Sequence, residues 1–264
     1  MREHPPSRRP TTPSRRAFLR GSLAALSAAI VAGCDRLGDT GWFSALLRSG
    51  ETLTRATQRL LVPRNALAQE FTDADVKGPF RSNGTARPRS AAYDALAAND
   101  FVDWRLRVDG LVDRPLELSL AELKAMPART QITRHDCVEG WSAIAKWTGV
   151  PLADVLARAA PQTNARYVVF HCADPMHADG TEPYYESIDM VDAYHPQTIL
   201  AYRLNDAPLP IGNGAPVRVR IERQLGYKMA KYIMRIELVD RFDQLYGGNG
   251  GYWEDRGYAW YAGI

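Results

Sequence analysis

One cysteine in a polar, glycine-containing segment constrains this chain more than any other feature. Cys137 lies in the segment RHDCVEGW (134–141), and the segment WTGVPL (147–152) follows it. The neighbouring Arg134 and His135 are predicted to lower the pKa of the Cys137 thiol, because cations favour its anionic form. An anionic sulfur is either a nucleophile or a soft metal ligand, whereas a buried neutral cysteine is a small apolar core residue. Spacing alone does not choose among these three roles.

The two segments resemble the cofactor-binding region of the sulfite oxidase family of molybdopterin enzymes, through the pattern C-x-E-G-W-S followed by W-x-G-V-P-L. The resemblance extends from about Phe80 to Asp240 and is closer to the bacterial periplasmic branch that includes the methionine-sulfoxide reductases. It implies an α+β fold, in which a single sulfite oxidase-type domain has mixed sheets and flanking helices. It also implies that Cys137 is the one protein ligand to the molybdenum of a Mo-molybdopterin cofactor.

A second motif, PIGNGAPVR at 210–218, resembles the N-G-x-P-x-R segment of the same family, and GYKMAK (226–231) follows at the family's spacing. Arg218 offers a planar fork for phosphate oxygens, and Lys231 offers a point charge. A turn-like segment at 80–85 resembles one that contacts the pterin, and Cys172 stands where relatives often carry a threonine. The cofactor-binding residues that the resemblance implies are Asn83, Cys172, Asn213, Arg218, Met229, Ala230 and Lys231.

The resemblance also implies residues that face the substrate. Tyr202 matches an active-site tyrosine of the sulfite oxidases proper, where a phenol orients an oxyanion by hydrogen bonding; a strand tyrosine packed on the core is the alternative. Arg134 and His135 complete the predicted catalytic set with Cys137. The chemistry is two-electron oxygen-atom transfer carried by the cofactor. The expected reaction is reduction of an S-oxide or N-oxide, and sulfite-type oxidation is second.

Two further hypotheses belong to other functional classes. Cys137 and His135 could form a cysteine hydrolase, but adjacent residues seldom aim at one another and no oxyanion motif accompanies them. The chain could also be a catalytically inactive lipoprotein binding module that keeps the fold as a scaffold. A disulfide between Cys137 and Cys172, which export would permit, is the structural alternative to a metal ligand.

Residues 1–33 resemble a twin-arginine signal peptide, the kind that generally exports proteins already folded around a cofactor. SRRAFLR (14–20) precedes an uncharged run, 21–33, that is too short to span a bilayer and suits a signal h-region. Cys34 then resembles a lipoprotein processing site, and cleavage after Ala68 is the alternative. We therefore expect the twin-arginine machinery to export a periplasmic protein that is lipid-anchored to the inner membrane through Cys34.

The remainder is predicted to divide into an anchor and a domain. Residues 34–75 are predicted to be an anchor and linker with an amphipathic helix over Trp42–Leu61, which either lies on a membrane surface or acts as a spacer. Residues 76–264 are predicted to be the molybdopterin-binding oxidoreductase domain. A membrane b-type cytochrome is the expected electron partner, which would explain the anchor.

The distribution of charge argues against nucleic acid as a partner. Residues 1–68 carry 11 Lys and Arg against 4 Asp and Glu, whereas residues 69–264 carry 22 against 26. The basic balance therefore belongs to the N-terminal segment. The domain is mildly acidic and has no basic block of the kind that nucleic-acid binding requires.

Local patterns predict several elements of the domain. Alternation over Trp104–Gly110 and the β-rich run 166–172 predict strands. The capping box at Ser119 predicts one helix, and Pro151 is predicted to start another. The Gly- and aromatic-rich tail from Gly247 cannot form a core of its own, and it could wrap the domain, roof the site or meet a partner.

Overall fold

The computed structural model describes residues 41–176 and 183–264, and internal contacts divide the chain into two units, residues 1–53 and 54–264. The predicted export signal and the processing site at Cys34 lie outside the described residues. The second unit contains two β-sheets with short helices, which confirms the predicted α+β class. None of the helices in the described ranges is both long enough and apolar enough to cross a bilayer.

Most of the second unit is sheet. The described strands are, in chain order, β1 (Arg105–Gly110), β2 (Leu116–Ser119), β3 (Arg129–Asp136), β4 (Ser142–Pro151), β5 (Tyr167–Pro175), β6 (Pro183–Asp189), β7 (Ile199–Leu204), β8 (Ala207–Pro208), β9 (Arg218–Arg220) and β10 (Ile233–Val239). The described α-helices are α1 (Gly41–Leu61), α2 (Ala91–Ala98), α3 (Leu120–Ala125), α4 (Leu152–Ala159) and α5 (Met190–Ala193). One sheet has the order β2-β1-β10-β5-β6, with β1 and β10 parallel and the other neighbours antiparallel. The other has the order β3-β4-β7-β8, with β9 also on β7.

Local sequence signals explain where two of the helices begin. The hydroxyl of Ser119 accepts from the N–H of Glu122 at 3.1 Å, and the Glu122 carboxylate accepts from the N–H of Ser119 at 2.8 Å. This reciprocal pair confirms the predicted capping box at the start of α3. Pro151 precedes α4 as its N-cap residue, which confirms the second predicted helix start.

Alternation along the strands builds one core from both sheets. Val108 in β1, Phe170 in β5 and Leu200 in β7 are fully buried members of the same apolar cluster, as the period of two predicts for strands with one face inward. Gly149 in β4 permits the close approach of β7, because a Cβ there would lie 2.2 Å from the carbonyl oxygen of Leu200. The glycine of the WTGVPL segment therefore serves the sheet.

The predicted amphipathic helix over Trp42–Leu61 is present as α1. Trp42, Leu53 and Leu60 on this helix are 62%, 69% and 84% exposed. The helix therefore presents apolar side chains to solvent.

Residues 54–75 belong to the compact domain unit, which differs from the predicted linker. Arg59 near the end of α1 forms ion pairs with Asp189 and Asp192 at 3.1 and 2.8 Å. The buried amide of Gln197 binds both the N–H and the carbonyl of Ala68, at 2.7 and 3.0 Å. Buried polar groups of the domain pair with side chains and backbone of this segment and hold it in place.

The tail, residues 247–264, is attached to the domain through a buried charge cluster of Lys228, Glu186 and Glu254. The Lys228 ammonium donates to both carboxylates, and the three side chains are at most 1% exposed. Charges that are removed from water require a partner, so this cluster fixes the tail on the domain. The tail thus wraps the domain, which is one of the arrangements that the sequence left open.

Candidate functional site

Cys137 follows β3 in a tight connection to β4. The N–H of Cys137 donates to the carbonyl of Trp141 at 2.9 Å, and the N–H of Gly140 donates to the carbonyl of Cys137 at 3.0 Å. Gly140 has a φ of 83°, in the left-handed region that glycine favours. The glycine and tryptophan of the motif therefore build the turn, and the turn places Cys137 at the edge of a cleft.

The cleft is lined by apolar and aromatic side chains together with a few polar groups, as small-molecule and cofactor sites are. Its walls come from the segment 83–85, the turn 137–139, the ends of β5 and β6, the segment 226–231 and the tail. All of these parts belong to the domain unit. The arrangement brings the two strongest sequence motifs, which are distant along the chain, to one site.

The Cys137 side chain is a free thiol with a raised pKa. Burial is the largest influence and raises the pKa; the Glu139 carboxylate also raises it, whereas the N–H groups of Glu139 and Val138 and the charge of Arg81 lower it. A soft cation bound at the sulfur would displace the proton, since a coordinating thiol is deprotonated. Cys172 is a free thiol as well, so the disulfide alternative is not formed.

Arg134 and His135 do not stabilise a thiolate at Cys137, so the predicted lowering of its pKa is wrong. The two residues alternate on β3, and their side chains therefore point to opposite faces of the sheet. Arg134 is half exposed and forms an ion pair with Asp136 at 2.9 Å. His135 is fully buried, and burial together with the charge of Arg220 lowers its pKa well below the ordinary value. It is a neutral imidazole, without a charge to offer.

A layer of buried side chains lies behind the cleft. Arg220 donates from Nη1 to Nδ1 of His135 at 3.0 Å, and from Nε and Nη2 to the Glu222 carboxylate at 2.9 and 2.7 Å. Glu222 therefore neutralises Arg220. Gly226 in the cleft wall touches this layer, because a Cβ at that position would lie 2.3 Å from Nε2 of His135.

Arg218 and Lys231 form a second basic pair, and neither has an ion pair within the described residues. Burial lowers the pKa of Lys231 to about 7, and the charge of Arg218 adds to this effect. The Lys231 ammonium donates to the carbonyls of Asn83 and Thr85 at 2.6 and 2.5 Å. Arg218 donates from Nη1 to the carbonyl of Asn213 at 3.1 Å. Two buried cations held only by neutral acceptors favour an anion beside them.

Unsatisfied atoms in this wall test whether an anionic, hydrogen-bonding cofactor fits. Within the described residues, Oδ1 of Asn83 in the wall and Nε of Arg218 behind it are buried and have no hydrogen-bond partner. Such orphaned groups are uncommon in folded proteins and indicate a missing partner. Gly214 keeps the wall open, since a Cβ there would lie 3.0 Å from the Cβ atoms of Arg218 and Lys231. The free thiol of Cys137, the Lys231 ammonium and the orphaned acceptor of Asn83, all in the cleft lining, together fit a molybdopterin.

Four of the predicted site residues line the cleft, namely Asn83, Cys137, Met229 and Lys231. The structure thereby brings together the cysteine predicted to bind the metal and part of the predicted cofactor-binding set. The roles of these four residues toward the cofactor stay predictions.

The other predicted cofactor-binding residues lie behind the wall. Nη2 of Arg218 donates to the carbonyl of Met229 at 3.3 Å. Both terminal nitrogens of the guanidinium therefore bind backbone carbonyls, and they do not form the predicted fork for phosphate oxygens. Asn213 is the other backbone partner of Arg218, and the Cys172 thiol is buried beside the Lys231 amide. Ala230 is 1% exposed in the main core. These residues support the wall from behind.

Tyr202 does not reach the cleft. It lies in β7 as a member of the main core, 7% exposed, with the Lys124 ammonium 5.9 Å from the centre of its ring. This position corresponds to the alternative that the sequence left open, a strand tyrosine packed on the core.

Several residues of the cleft were not predicted as site residues. Asp174 and Tyr184 lie at the ends of β5 and β6, and Trp253 and Tyr258 come from the tail. The alternation of β5 carried a signal for Asp174, which is two residues beyond Cys172 on the same face. No comparable signal identified the two tail residues, since an aromatic-rich segment packs equally well on any apolar surface.

Comparison with known proteins bears on the same region. The family model described as "Oxidoreductase molybdopterin binding domain" matches residues 94–246. The chain is 38% identical over 253 residues to a putative protein-methionine-sulfoxide reductase subunit, YedZ1, of Azospira oryzae, covering 95% of this chain and 88% of that protein.

Other similarities cover less of the matching protein. The protein-methionine-sulfoxide reductase catalytic subunit MsrP of Xanthomonas campestris is 42% identical over 149 residues, which are 53% of this chain and 46% of that one. The chain thus spans about half the length of this relative. The crystal structure of the sulfane dehydrogenase SoxCD from Paracoccus pantotrophus matches with a TM-score of 0.48 and 23% identity, over 53% of this chain and 39% of that one.

Proposed function

The chain belongs to the oxidoreductase molybdopterin binding domain family, and from that premise we propose that it reduces methionine sulfoxide in proteins. The domain is that of a molybdenum-dependent oxidoreductase. The choice of substrate is supported by the relatives named as methionine-sulfoxide reductase subunits. One observation carries the assignment of the site: the free Cys137 thiol lies in the same cleft as Lys231, a buried cation that forms no ion pair within the described residues.

Different residues of the cleft would bind different parts of the cofactor. The Cys137 sulfur would bind molybdenum, and the Lys231 ammonium would face the phosphate of the pterin. The Asn83 side chain would accept a hydrogen bond through its orphaned Oδ1. Arg218 would act from behind, by fixing the backbone of Asn213 and Met229. When bound, the cofactor supplies the two-electron redox chemistry.

The aromatic part of the cleft lining suits a thioether or sulfoxide side chain. Tyr227, Trp253 and Tyr258 form an aromatic wall, in which the ring of Tyr258 lies 5.2 Å from the rings of both Tyr227 and Trp253. Aromatic faces pack well against methyl and sulfur groups. Sulfite, a small hydrated anion, would gain little from such a wall, which favours a sulfoxide over sulfite as substrate.

The location and the electron partner extend this proposal. A twin-arginine signal, lipidation at Cys34 and a periplasmic location are supported by the N-terminal sequence. The apolar side chains that α1 presents to solvent support contact of this helix with the membrane surface. A membrane b-type cytochrome would then deliver electrons to a protein held close to it.

The experiment that tests the function combines metal analysis with two opposed assays. Molybdenum and pterin are measured in the exported protein for the wild type and for Cys137→Ser. The wild type is then assayed for oxidation of reduced viologen by methionine sulfoxide, and for reduction of ferricyanide by sulfite.

We expect about one molybdenum per chain in the wild type, a lost or altered centre in the variant, and turnover with methionine sulfoxide. Turnover with sulfite alone would replace the proposed reaction by sulfite-type oxidation. A correctly matured protein with neither molybdenum nor activity would instead be the inactive binding module.

A further inference from the structure

Asp174 is a buried carboxyl group at the edge of the cleft. It lies near the end of β5, where alternation places it on the same face as Phe170 and Cys172, and it is 3% exposed. The N–H of the preceding Ala173 donates to the carbonyl of Tyr232 at 2.9 Å. This hydrogen bond fixes the backbone next to Asp174. The Asp174 side chain lines the same cleft as Cys137.

The charge of Lys231 acts on Asp174 and lowers its pKa, but the Lys231 ammonium is held by other groups. Lys231 directs its ammonium to the carbonyls of Asn83, Thr85 and Gly212, at 2.6, 2.5 and 3.2 Å. Oδ1 of Asp174 has no hydrogen-bond partner within the described residues. The Thr85 hydroxyl and the N–H of Asp174 favour the carboxylate, but the loss of hydration on burial outweighs them and favours the protonated carboxyl. Burial accordingly raises the pKa of Asp174 to about 6.

The groups that face Asp174 leave it as an acid suited to neutral pH. Three phenols face it, those of Tyr93 in α2, Tyr184 in β6 and Tyr232 before β10. The Thr85 hydroxyl and the Lys231 ammonium also face it, and the Cys172 thiol does so from its own strand. Burial raises the pKa of each phenol and of the thiol, so they keep their protons. Lys231, with a pKa of about 7, is the other group that titrates nearby.

We propose that Asp174 is the proton donor of the cleft, which hands its proton to the oxygen that leaves the substrate. This role rests on the proposed sulfoxide reduction. In that reaction the S–O bond breaks, two O–H bonds form, and the products are a thioether and water. The reduced cofactor supplies two electrons. Asp174 supplies the protons one at a time and recovers each of them from water.

The alternative role for the same group is recognition of the cofactor. A carboxyl oxygen without a partner is also a possible acceptor for N–H groups of the pterin. The two roles differ in what Asp174→Asn would do, because the amide keeps the shape and an acceptor oxygen but cannot transfer a proton. Loss of the cofactor indicates recognition, whereas a slow enzyme with its cofactor in place indicates proton transfer.

The test uses the cofactor-loaded protein with Asp174→Asn, Asp174→Glu and, as a surface control, Asp113→Asn, whose side chain is exposed. Molybdenum and pterin content are measured first. The rate of methionine sulfoxide reduction is then followed from about pH 5 to about pH 9. Infrared difference spectra over the same range monitor the stretch of a protonated carboxyl.

We expect Asp174→Asn to keep its molybdenum and pterin and to have a kcat lower by about 10²-fold or more. Its rate should no longer fall as pH rises above the pKa of Asp174, and the infrared band of the protonated Asp174 carboxyl should be absent. Asp174→Glu should recover part of the rate, and Asp113→Asn should match the wild type.

Three results would overturn the proposal: an unchanged rate and pH profile in Asp174→Asn, loss of cofactor from that variant, or a wild type without an Asp174 carboxyl band at about pH 5. A wild type that carries molybdenum but reduces no sulfoxide would remove the proposed function, and the donor role with it. An active wild type with an unaffected Asp174→Asn would remove the donor role alone.

Discussion

Replacing Lys228 by methionine should detach the tail from the domain. In the wild type the Lys228 ammonium donates to Glu186 and Glu254, with the Glu254 contact at 2.5 Å, and the three side chains are 0%, 0% and 1% exposed. Methionine fills a similar volume without a charge. The substitution therefore leaves two carboxyl groups buried against each other with no cation.

The size of the effect follows from the cost of an unpaired buried charge. Removing one partner of a buried ion pair destabilises a protein by about 3–5 kcal/mol. If the tail opens as one unit, the free energy of that opening falls by the same amount, and amide exchange in residues 247–262 should accelerate by about 10²-fold or more. The triple variant Lys228→Met, Glu186→Gln, Glu254→Gln should recover most of the loss, because well-packed neutral groups often replace buried ions at little cost.

The loss should also depend on pH. Burial and the charge of Glu254 already raise the pKa of Glu186 well above its ordinary value. A carboxyl whose folded pKa is raised binds more protons in the folded state, so it costs stability as pH rises above its unfolded value. Without Lys228 this shift becomes larger, and the destabilisation of Lys228→Met should therefore grow from acidic to neutral pH.

Hydrogen exchange with mass spectrometry measures the opening of the tail directly and does not require reversible unfolding. Asp243→Asn is the matched control, since it breaks an exposed ion pair with Arg241 in the same part of the chain, and it should leave tail exchange unchanged. If exchange of the tail in Lys228→Met stays within about threefold of the wild type, the cluster does not hold the tail.

Three further outcomes are expected. Without cofactor, the folded pKa of Lys231 is about 7, below its ordinary value. The free energy of unfolding of the wild type, relative to that of Lys231→Met, should therefore rise with pH above about 7. Urea titrations at several pH values should show a slope of at most about 1.4 kcal/mol per pH unit. Tyr202→Phe should change kcat/KM for the sulfoxide by less than about twofold, because Tyr202 packs in the core; a large loss of kcat would return it to the site. Gly226→Ala should lower molybdenum content and thermal stability, because the added Cβ would lie 2.3 Å from the buried ring of His135; normal values of both would show that the ring has room to move.

The elements of the domain could be predicted where the signal is local. The strand over 104–110 and the capping box at Ser119 depend on alternation and on one side chain-to-backbone pair, and both are present. The segment 54–75 shows the limit of such signals. Its polar composition resembles a linker, but the attachment depends on Gln197 and Asp192, buried polar groups contributed by a distant part of the chain.

The sequence motifs predicted which residues share the site, but not which groups surround Cys137. Cys137 and Lys231 share the cleft as expected, since the motifs that carry them bind one cofactor in the resembling family. The expected effect of Arg134 and His135 on the thiol was wrong because adjacent residues on a strand cannot both face it. Whether a residue near Cys137 in sequence is also near it in space depends on where the strand ends, and β3 continues to Asp136.

The tail shows why part of the cleft lay beyond sequence reasoning. Trp253 and Tyr258 lie outside the family match, which ends at residue 246, yet they line the cleft. Their position depends on Lys228. In the sequence Lys228 cannot be told from a surface lysine, and only the structure shows that it is buried with two carboxylates. The charge cluster and the aromatic wall are therefore physically coupled. Loosening the tail should raise KM for the sulfoxide while molybdenum content is kept, because Trp253 and Tyr258 move with the tail and Cys137 does not.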